Sequence, residues 1–202
     1  MSEIIITTLD PQRRHEAAGI VRDAFWDLYR PGCVEHLILD LARTAPEYLP
    51  GLELAADLDG DLVGVGLATS ATVIAADGRQ TAVGYLGPLA VTPQHQRIGI
   101  GGALLRELLR RCTILGLPGA FLYGDPGYYG RFGFADAAKW CVTTPDGANF
   151  DAFQGIELRP GALDGIGGRL VESSIFEVTT EQADVFDSGF PPREKHVTDT
   201  QF

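Results

Sequence analysis

Two short runs hold the residue types and spacings that could do chemistry. The first is Gln96-Arg97-Ile98-Gly99-Ile100-Gly101-Gly102, close behind Gly87-Pro88-Leu89-Ala90-Val91-Thr92-Pro93. An apolar strand ends in a polar turn, and the turn opens a glycine-rich stretch that becomes an amphipathic helix. Glycine leaves the backbone uncovered, and the first N–H groups of a helix lack partners. This order builds an anion pocket suited to a pyrophosphate, with donors from Arg97 to Gly102. The Arg97 guanidinium adds a charge-assisted contact. A tight turn that needs glycine only for its shape is the plainer alternative.

The second run is Asp125-Pro126-Gly127-Tyr128-Tyr129-Gly130-Arg131-Phe132-Gly133-Phe134. Asp125-Pro126 reads as the N-cap and first position of a short helix ending near Gly133. Other chemistries find no support. The glycines at 99, 101 and 102 leave Leu104 where a dinucleotide fingerprint needs its third glycine, and no Lys-Ser/Thr follows them as in an ATP loop. There is no Gly-x-Ser-x-Gly elbow. Cys33, Cys112 and Cys141 are odd in number and far apart, without metal-ligand spacing. No metal is expected, and a reduced, cytoplasmic setting is the economical reading.

The elements that must position these runs follow from periodicity. Ile4–Leu9 reads as a strand, Gln12–Tyr29 as a helix broken by Pro31-Gly32, and Val34–Arg43 as a second helix. Ala45–Gly51 reads as a loop. Leu52–Leu58 and Leu62–Val73 form a hairpin through Asp59-Gly60. Asp77-Gly78 marks a further turn. Ala82–Val91 is the next strand, with Gly87-Pro88 implying a bulge or a stop in pairing. Gly99–Leu115 is a helix burying Leu104, Leu105, Leu108 and Cys112, ended by Gly116 and Pro118. Ala120–Tyr123 is a short strand, parallel to Val83–Val91 through the helical crossover. Strand-like pieces follow at Trp140–Thr143, Ile156–Leu158 and Leu170–Val178. From Thr179 the chain is less regular, and Pro191 to Lys195 reads as exposed. Residues 1–178 form one mixed α/β domain, and residues 179–202 a partly mobile extension. A bulge at Pro88 would force these parallel neighbours apart at one end. The backbone of Leu89, Ala90 and Val91 would then be open to an extended amide ligand that behaves as a strand.

Composition narrows the partners. The chain has 202 residues, 45% of them hydrophobic, enough for one well-buried core. No stretch reaches the roughly 20 apolar residues of a membrane span, and the N-terminus lacks a basic region before an apolar one. A net charge of −11 without a basic block argues against nucleic acid. It favours a cationic or neutral small substrate, or simply keeps the protein soluble.

The two runs, in this order on a strand–loop–helix–strand–helix frame, resemble the GNAT acetyltransferase superfamily. Gln96-Arg97-Ile98-Gly99-Ile100-Gly101 resembles its coenzyme A motif, Gln/Arg-x-x-Gly-x-Gly/Ala. Asp125 to Phe134 resembles its second motif, in the form of a bacterial subfamily of N-acetyltransferases. The matched order of elements covers residues 4 to 176. The resemblance implies a single-domain acyl-CoA N-acyltransferase fold, with a mostly antiparallel sheet splayed at a central bulge and flanked by helices. It implies transfer of acetyl from acetyl-CoA to a small-molecule or peptide amine by direct attack.

Leu89, Ala90, Val91 and Gln96 to Gly102 would then bind the cofactor. Tyr129 matches the general acid for the leaving thiolate. A phenol, with a reference pKa of about 10, stays protonated at neutral pH and can donate. A core tyrosine is the plainer reading of the same residue. Tyr128, about 100° round the helix, should face elsewhere. Phe132 and Phe134 read as packing, and Arg131 as a surface ion pair. Glu35, Glu53, Asp57 and Asp125 are candidate bases, and none stands out. Family members often form dimers, with the C-terminal tail as the available surface. An acyl-CoA sensor without turnover, or a protein holding another anion in the glycine turn, would carry the same glycine signal.

Overall fold

The fold is that of a computed structural model, which describes residues 3–201. Met1, Ser2 and Phe202, inside the expected domain limits, lie outside the described residues. Strand β1 (Ile4–Thr8) leads through an Asp10-capped turn into helix α1 (Arg14–Phe25), and α2 spans Glu35–Ala42. Helix α1 stops four residues before the expected Tyr29. Trp26 leaves helical geometry, and Asp27 takes a positive φ of 58°. The Asp27 carboxylate accepts the Gly32 N–H at 2.7 Å, a local bond that competes with further helix.

Three long strands follow: β2 (Tyr48–Leu58), β3 (Asp61–Ile74) and β4 (Gln80–Val91). The expected loop at residues 45–51 therefore gives its last residues to β2. Tyr48 pairs with Thr69 and Glu53 with Leu67, so an irregular bulge absorbs the Pro50-Gly51 dipeptide. Next come α3 (Ile100–Ile114), β5 (Gly119–Tyr123) and the single turn α4 (Pro126–Tyr129). The chain continues through β6 (Ala135–Asp136), β7 (Val142–Thr143), β8 (Phe153–Glu157) and β9 (Gly168–Val171). Trp140 sits in a 3-10 turn before β7, and residues 174–176 form another after β9, so both expected strands are shorter than read.

The described strands form one sheet in the order β1-β2-β3-β4-β5-β8-β6, with β9 on the far end of β3 and β7 beside β9. Pairing is antiparallel except between β4 and β5 and between β7 and β9. Helix α3 covers one face, with Leu104, Leu105, Leu108 and Cys112 buried against Leu52, Leu54 and Ala56. Helices α1 and α2 cover the other face, over Ala55, Val65, Leu67 and Ala90. Gly64 lets α3 come close: a Cβ there would lie 3.1 Å from Ile100 and Leu104.

The stretch expected to be irregular contains a helix, α5 (Thr180–Asp187). Thr179 and Gln182 form a reciprocal capping box, and Ala183 and Phe186 pack on the α1–α2 core. Beyond it, Arg22 donates to the Asp187 carboxylate at 3.1 Å and to the Pro191 carbonyl at 3.0 Å. The Thr198 hydroxyl donates to the Asp27 carbonyl at 3.0 Å. No helix among the described residues is long and apolar enough to cross a membrane.

Candidate active site

The site begins where β4 and β5 separate. They pair only at Gly84–Ala120 and Tyr85–Phe121. On its other edge β4 stays paired with β3, but Gly66 faces Leu89 while Ala68 faces Leu86. Three residue steps on β4 oppose two on β3, so Gly87-Pro88 carries one extra residue: the expected bulge. The strands diverge beyond it.

Strand alternation fixes which backbone faces the gap. The Thr92 N–H donates to the Val63 carbonyl at 2.9 Å, so Thr92 and Ala90 turn their peptide groups to β3. Leu89 and Val91 turn theirs to the open side. The Gln96 amide donates to the Val91 carbonyl there at 3.1 Å. Ala90 lines the cleft but spends its backbone on the sheet.

The glycine loop closes one end of this gap. Arg97 and Gly99 both take positive φ, 63° and 99°. Gly99 is the N-cap of α3 and has no side chain to cap it. The N–H groups of Ile100, Gly101 and Gly102 therefore start the helix without an intrahelical partner. Ile98 is exposed, pointing away from the core, and Ile100 is buried under β3. Gln96, Arg97, Gly99, Gly101 and Gly102 line a cleft of about 780 Å³ together with Leu89, Val91, Tyr128 and Tyr129.

Two further cations stand there. Arg106 lies over the Phe132 ring at 5.2 Å, and Arg131 over the Tyr128 ring at 4.6 Å. Among the described residues neither pairs with a carboxylate, so the surface ion pair expected for Arg131 is replaced by ring stacking. Helical periodicity has Arg106 simply facing water. Its position one turn along α3 from Gly102 is the signal that could have found it.

Helix α4 forms the floor. Asp125 caps it, accepting the Gly127 N–H at 2.9 Å. Tyr129 is mostly buried, and its phenol is pushed above the ordinary value, by burial first and then by Tyr128, Tyr29 and Asp125. Tyr128 does not face elsewhere. Its hydroxyl reaches the N-terminus of α3, and its ring meets Tyr129 edge-on at 5.0 Å. The turn is only four residues long and lies across the cleft floor, so both rings border the same space. Phe134 is buried in the core as expected, while Phe132 is half-buried beneath the arginines.

Past Tyr129 the gap continues into a second cleft of about 430 Å³, roofed by Phe25, Leu28, Tyr29 and Glu35 from the α1–α2 region. Tyr85, Tyr123 and Phe176 line its depth. The candidate bases separate. Glu53 is buried and paired with Arg43 at 2.6 Å, and Asp57 is paired with Arg13. Neither lines either cleft. Glu35 and Asp125 do. Sequence reasoning missed Glu172, half-buried behind Tyr85 with its carboxyl pushed up by burial. No group of three His, Cys, Asp or Glu among the described residues could hold a metal ion.

Comparison with known proteins agrees with this geometry. The chain is 36% identical over 89 residues to the uncharacterized N-acetyltransferase YjhQ of Escherichia coli, a match over 44% of this chain. That match spans about half the relative's length, 49%. The fold is similar to that of a GNAT family N-acetyltransferase, YhbS, from Escherichia coli, solved in complex with CoA. The TM-score is 0.76, with 23% identity, over 88% of this chain and 94% of that one. It is also similar to a GNAT family acetyltransferase from Brucella melitensis solved with acetyl-CoA. There the TM-score is 0.68, with 28% identity, over 86% of this chain and 98% of that one. The model of the acetyltransferase (GNAT) domain matches residues 8–137, a span that runs from the end of β1 through the splay, the glycine loop and α4. The chain that builds this cleft therefore belongs to the GNAT acetyltransferases.

Proposed function

We propose that the protein moves the acetyl group of acetyl-CoA onto a primary amine by direct attack, with Tyr129 as the general acid. One observation carries this reading. A single gap runs from the uncapped end of α3, between β4 and β5, past Tyr129 and on into a separate aromatic cleft.

The residues fit the cosubstrate. The N–H groups of Ile100, Gly101 and Gly102, with the neighbouring loop, offer donors to a pyrophosphate at the positive end of a helix dipole. Among the described residues, Arg97, Arg106 and Arg131 border the same space without carboxylate partners and suit the remaining phosphate charge. The outward backbone of Leu89 and Val91 can pair with an extended amide arm as a strand would. A backbone N–H at the same place can hold the thioester oxygen as it gains charge.

Acetyl-CoA supplies an activated acetyl group whose leaving atom is a thiolate sulfur. The ammonium first loses one proton to water, the amine nitrogen then forms the new C–N bond as the C–S bond breaks, and the second proton shed by that nitrogen restores the phenol that protonates the sulfur. Tyr129 donates to the departing sulfur. Its phenol remains protonated because burial penalises the phenolate. Cys33 and Cys112 are buried and Cys141 exposed, all three unpaired, as a cytoplasmic protein would have them.

Calorimetric titration with acetyl-CoA beside adenosine diphosphate tests the reading. Micromolar or tighter binding, clearly stronger than the nucleotide, is expected. A folded sample that binds neither, or binds both equally, would count against acetyl transfer.

A further inference from the structure

The two ends of the cleft carry opposite charge. The phosphate end holds Arg97, Arg106 and Arg131. The far end holds Glu35 and Asp125, and among the described residues no Lys, Arg or His lines it. Tyr29 ties the two carboxylates together: its phenol is raised by burial first and then by Glu35 and Asp125. Tyr129 feels Tyr29 and Asp125 in turn. Asp125 therefore lies near Tyr129, and Glu35 lines the same cleft beside Tyr29.

Rings make up much of the remaining wall. Tyr85 meets Phe176 edge-on with centroids 4.8 Å apart, and Tyr123 at 5.9 Å. Phe25 and Tyr29 sit 6.1 Å apart on the opposite side. Ring faces and carboxylates both attract an ammonium, and ring walls exclude water from an apolar body. A carboxylate brought into this space would meet two like charges and no cation. Such a clash costs several kcal/mol and acts as a filter against the wrong substrate.

We infer that the acceptor is a small primary amine on an aromatic or alkyl body that bears no carboxylate. Glu35 and Asp125 hold the ammonium, and the Tyr85–Phe176–Tyr123 wall holds the body. This rests on the proposed acetyl transfer and specifies its acceptor. A free amino acid, whose carboxylate sits one carbon from its amine, is rejected.

Matched pairs test it: 2-phenylethylamine against phenylalanine, and tryptamine against tryptophan, with thiol release as the readout. Each pair differs only by the carboxylate. The amine is expected to be the better acceptor by about 100-fold in kcat/KM, which at 1.4 kcal/mol per tenfold matches the like-charge penalty. Glu35→Gln keeps an acceptor for the Val34 N–H, which the native carboxylate takes at 3.1 Å. It should raise KM for the amine about tenfold and narrow the ratio within each pair. Asp125→Asn keeps the helix cap and should act in the same direction.

Equal turnover of both members would overturn the inference, as would a Glu35→Gln enzyme with unchanged ratios. So would acetylation of neither member by a protein that binds acetyl-CoA. In each of these cases acetyl-CoA binding still stands, whereas its loss in the wild-type protein would instead refute acetyl transfer itself.

Discussion

The Tyr129 ring packs directly against the backbone of Gly124, where a Cβ would lie 2.7 Å from its Cδ2 atom and closer still to Cε2. Gly124 ends the run out of β5, and Tyr129 ends α4, so this contact sets the phenol's place at the mouth of the splay. The Gly124 N–H donates to the Ala152 carbonyl at 2.8 Å, which anchors the backbone from the other side. Neither wall can retreat easily. Gly124→Ala should therefore displace the phenol rather than the sheet. A general acid contributes roughly 100-fold or more, so Tyr129→Phe should lower kcat by about that factor. Gly124→Ala should lower it at least tenfold. Acetyl-CoA affinity, measured by calorimetry, should change little in either variant. Full activity in Tyr129→Phe would remove the phenol from the mechanism.

The arginines at the phosphate end predict a salt signature. Arg106 stacks on Phe132 and Arg131 on Tyr128; the Arg131 Nε–H donates to the Tyr128 carbonyl at 3.2 Å, and the terminal N–H groups suit an anion. Replacing either with alanine should weaken acetyl-CoA binding about tenfold at low ionic strength, with kcat at saturation preserved. The deficit should shrink as salt rises, because partly exposed charges are screened beyond about 10 Å at 0.1 M. A deficit independent of salt would point to lost ring packing instead.

Much of this arrangement is legible in the chain, because it depends on local rules. Proline cannot donate to a ladder, so Gly87-Pro88 announces the bulge, and the strand order announces a parallel neighbour that pairs at one end only. Glycines before a periodic apolar run announce an uncapped helix start. What stays hidden depends on distant contacts. Arg106 reads as a solvent-facing helix residue until α4 is folded beside it. Tyr128 reads as pointing away only when regular helix angles are applied to a single turn that lies across the cleft floor. Glu53 looks like an alternating polar strand residue, and only Arg43 on the α2 side makes it a buried ion. Helix α5 is readable locally, since Thr179 and Gln182 have capping-box spacing, but the polar composition after it masks the signal.

The phenol environment predicts the shape of the pH profile. The acid must be protonated to act. Burial raises Tyr129 above the reference value of about 10, so its protonated fraction stays near one across the accessible range. The rising limb of kcat should follow deprotonation of the bound ammonium. No descending limb should appear below about pH 10. A descending limb near pH 8 that vanishes in Tyr129→Phe would contradict the burial argument.

The last prediction concerns a carboxylate that lines neither cleft. Glu53 on β2 is 2% exposed, and its Oε1 accepts Arg43 Nη2 at 2.6 Å and Nε at 2.9 Å. Its Oε2 accepts the Tyr48 hydroxyl, whose pKa is pushed up to about 12 by burial and then by this carboxylate. Removing the acid leaves the buried guanidinium with only the half-exposed Asp40, at 3.1 Å, and the phenol without its acceptor. Breaking such a pair costs about 3–5 kcal/mol, because the surviving charge stays desolvated. Glu53→Ala should therefore lower the urea midpoint strongly. A double substitution that also replaces Arg43 with methionine should recover much of the loss, since apolar packing can stand in for a buried pair. The folded fraction of either variant should bind acetyl-CoA with wild-type affinity. A Glu53→Ala protein of normal stability but without turnover would reverse the assignment and make Glu53 a catalytic base.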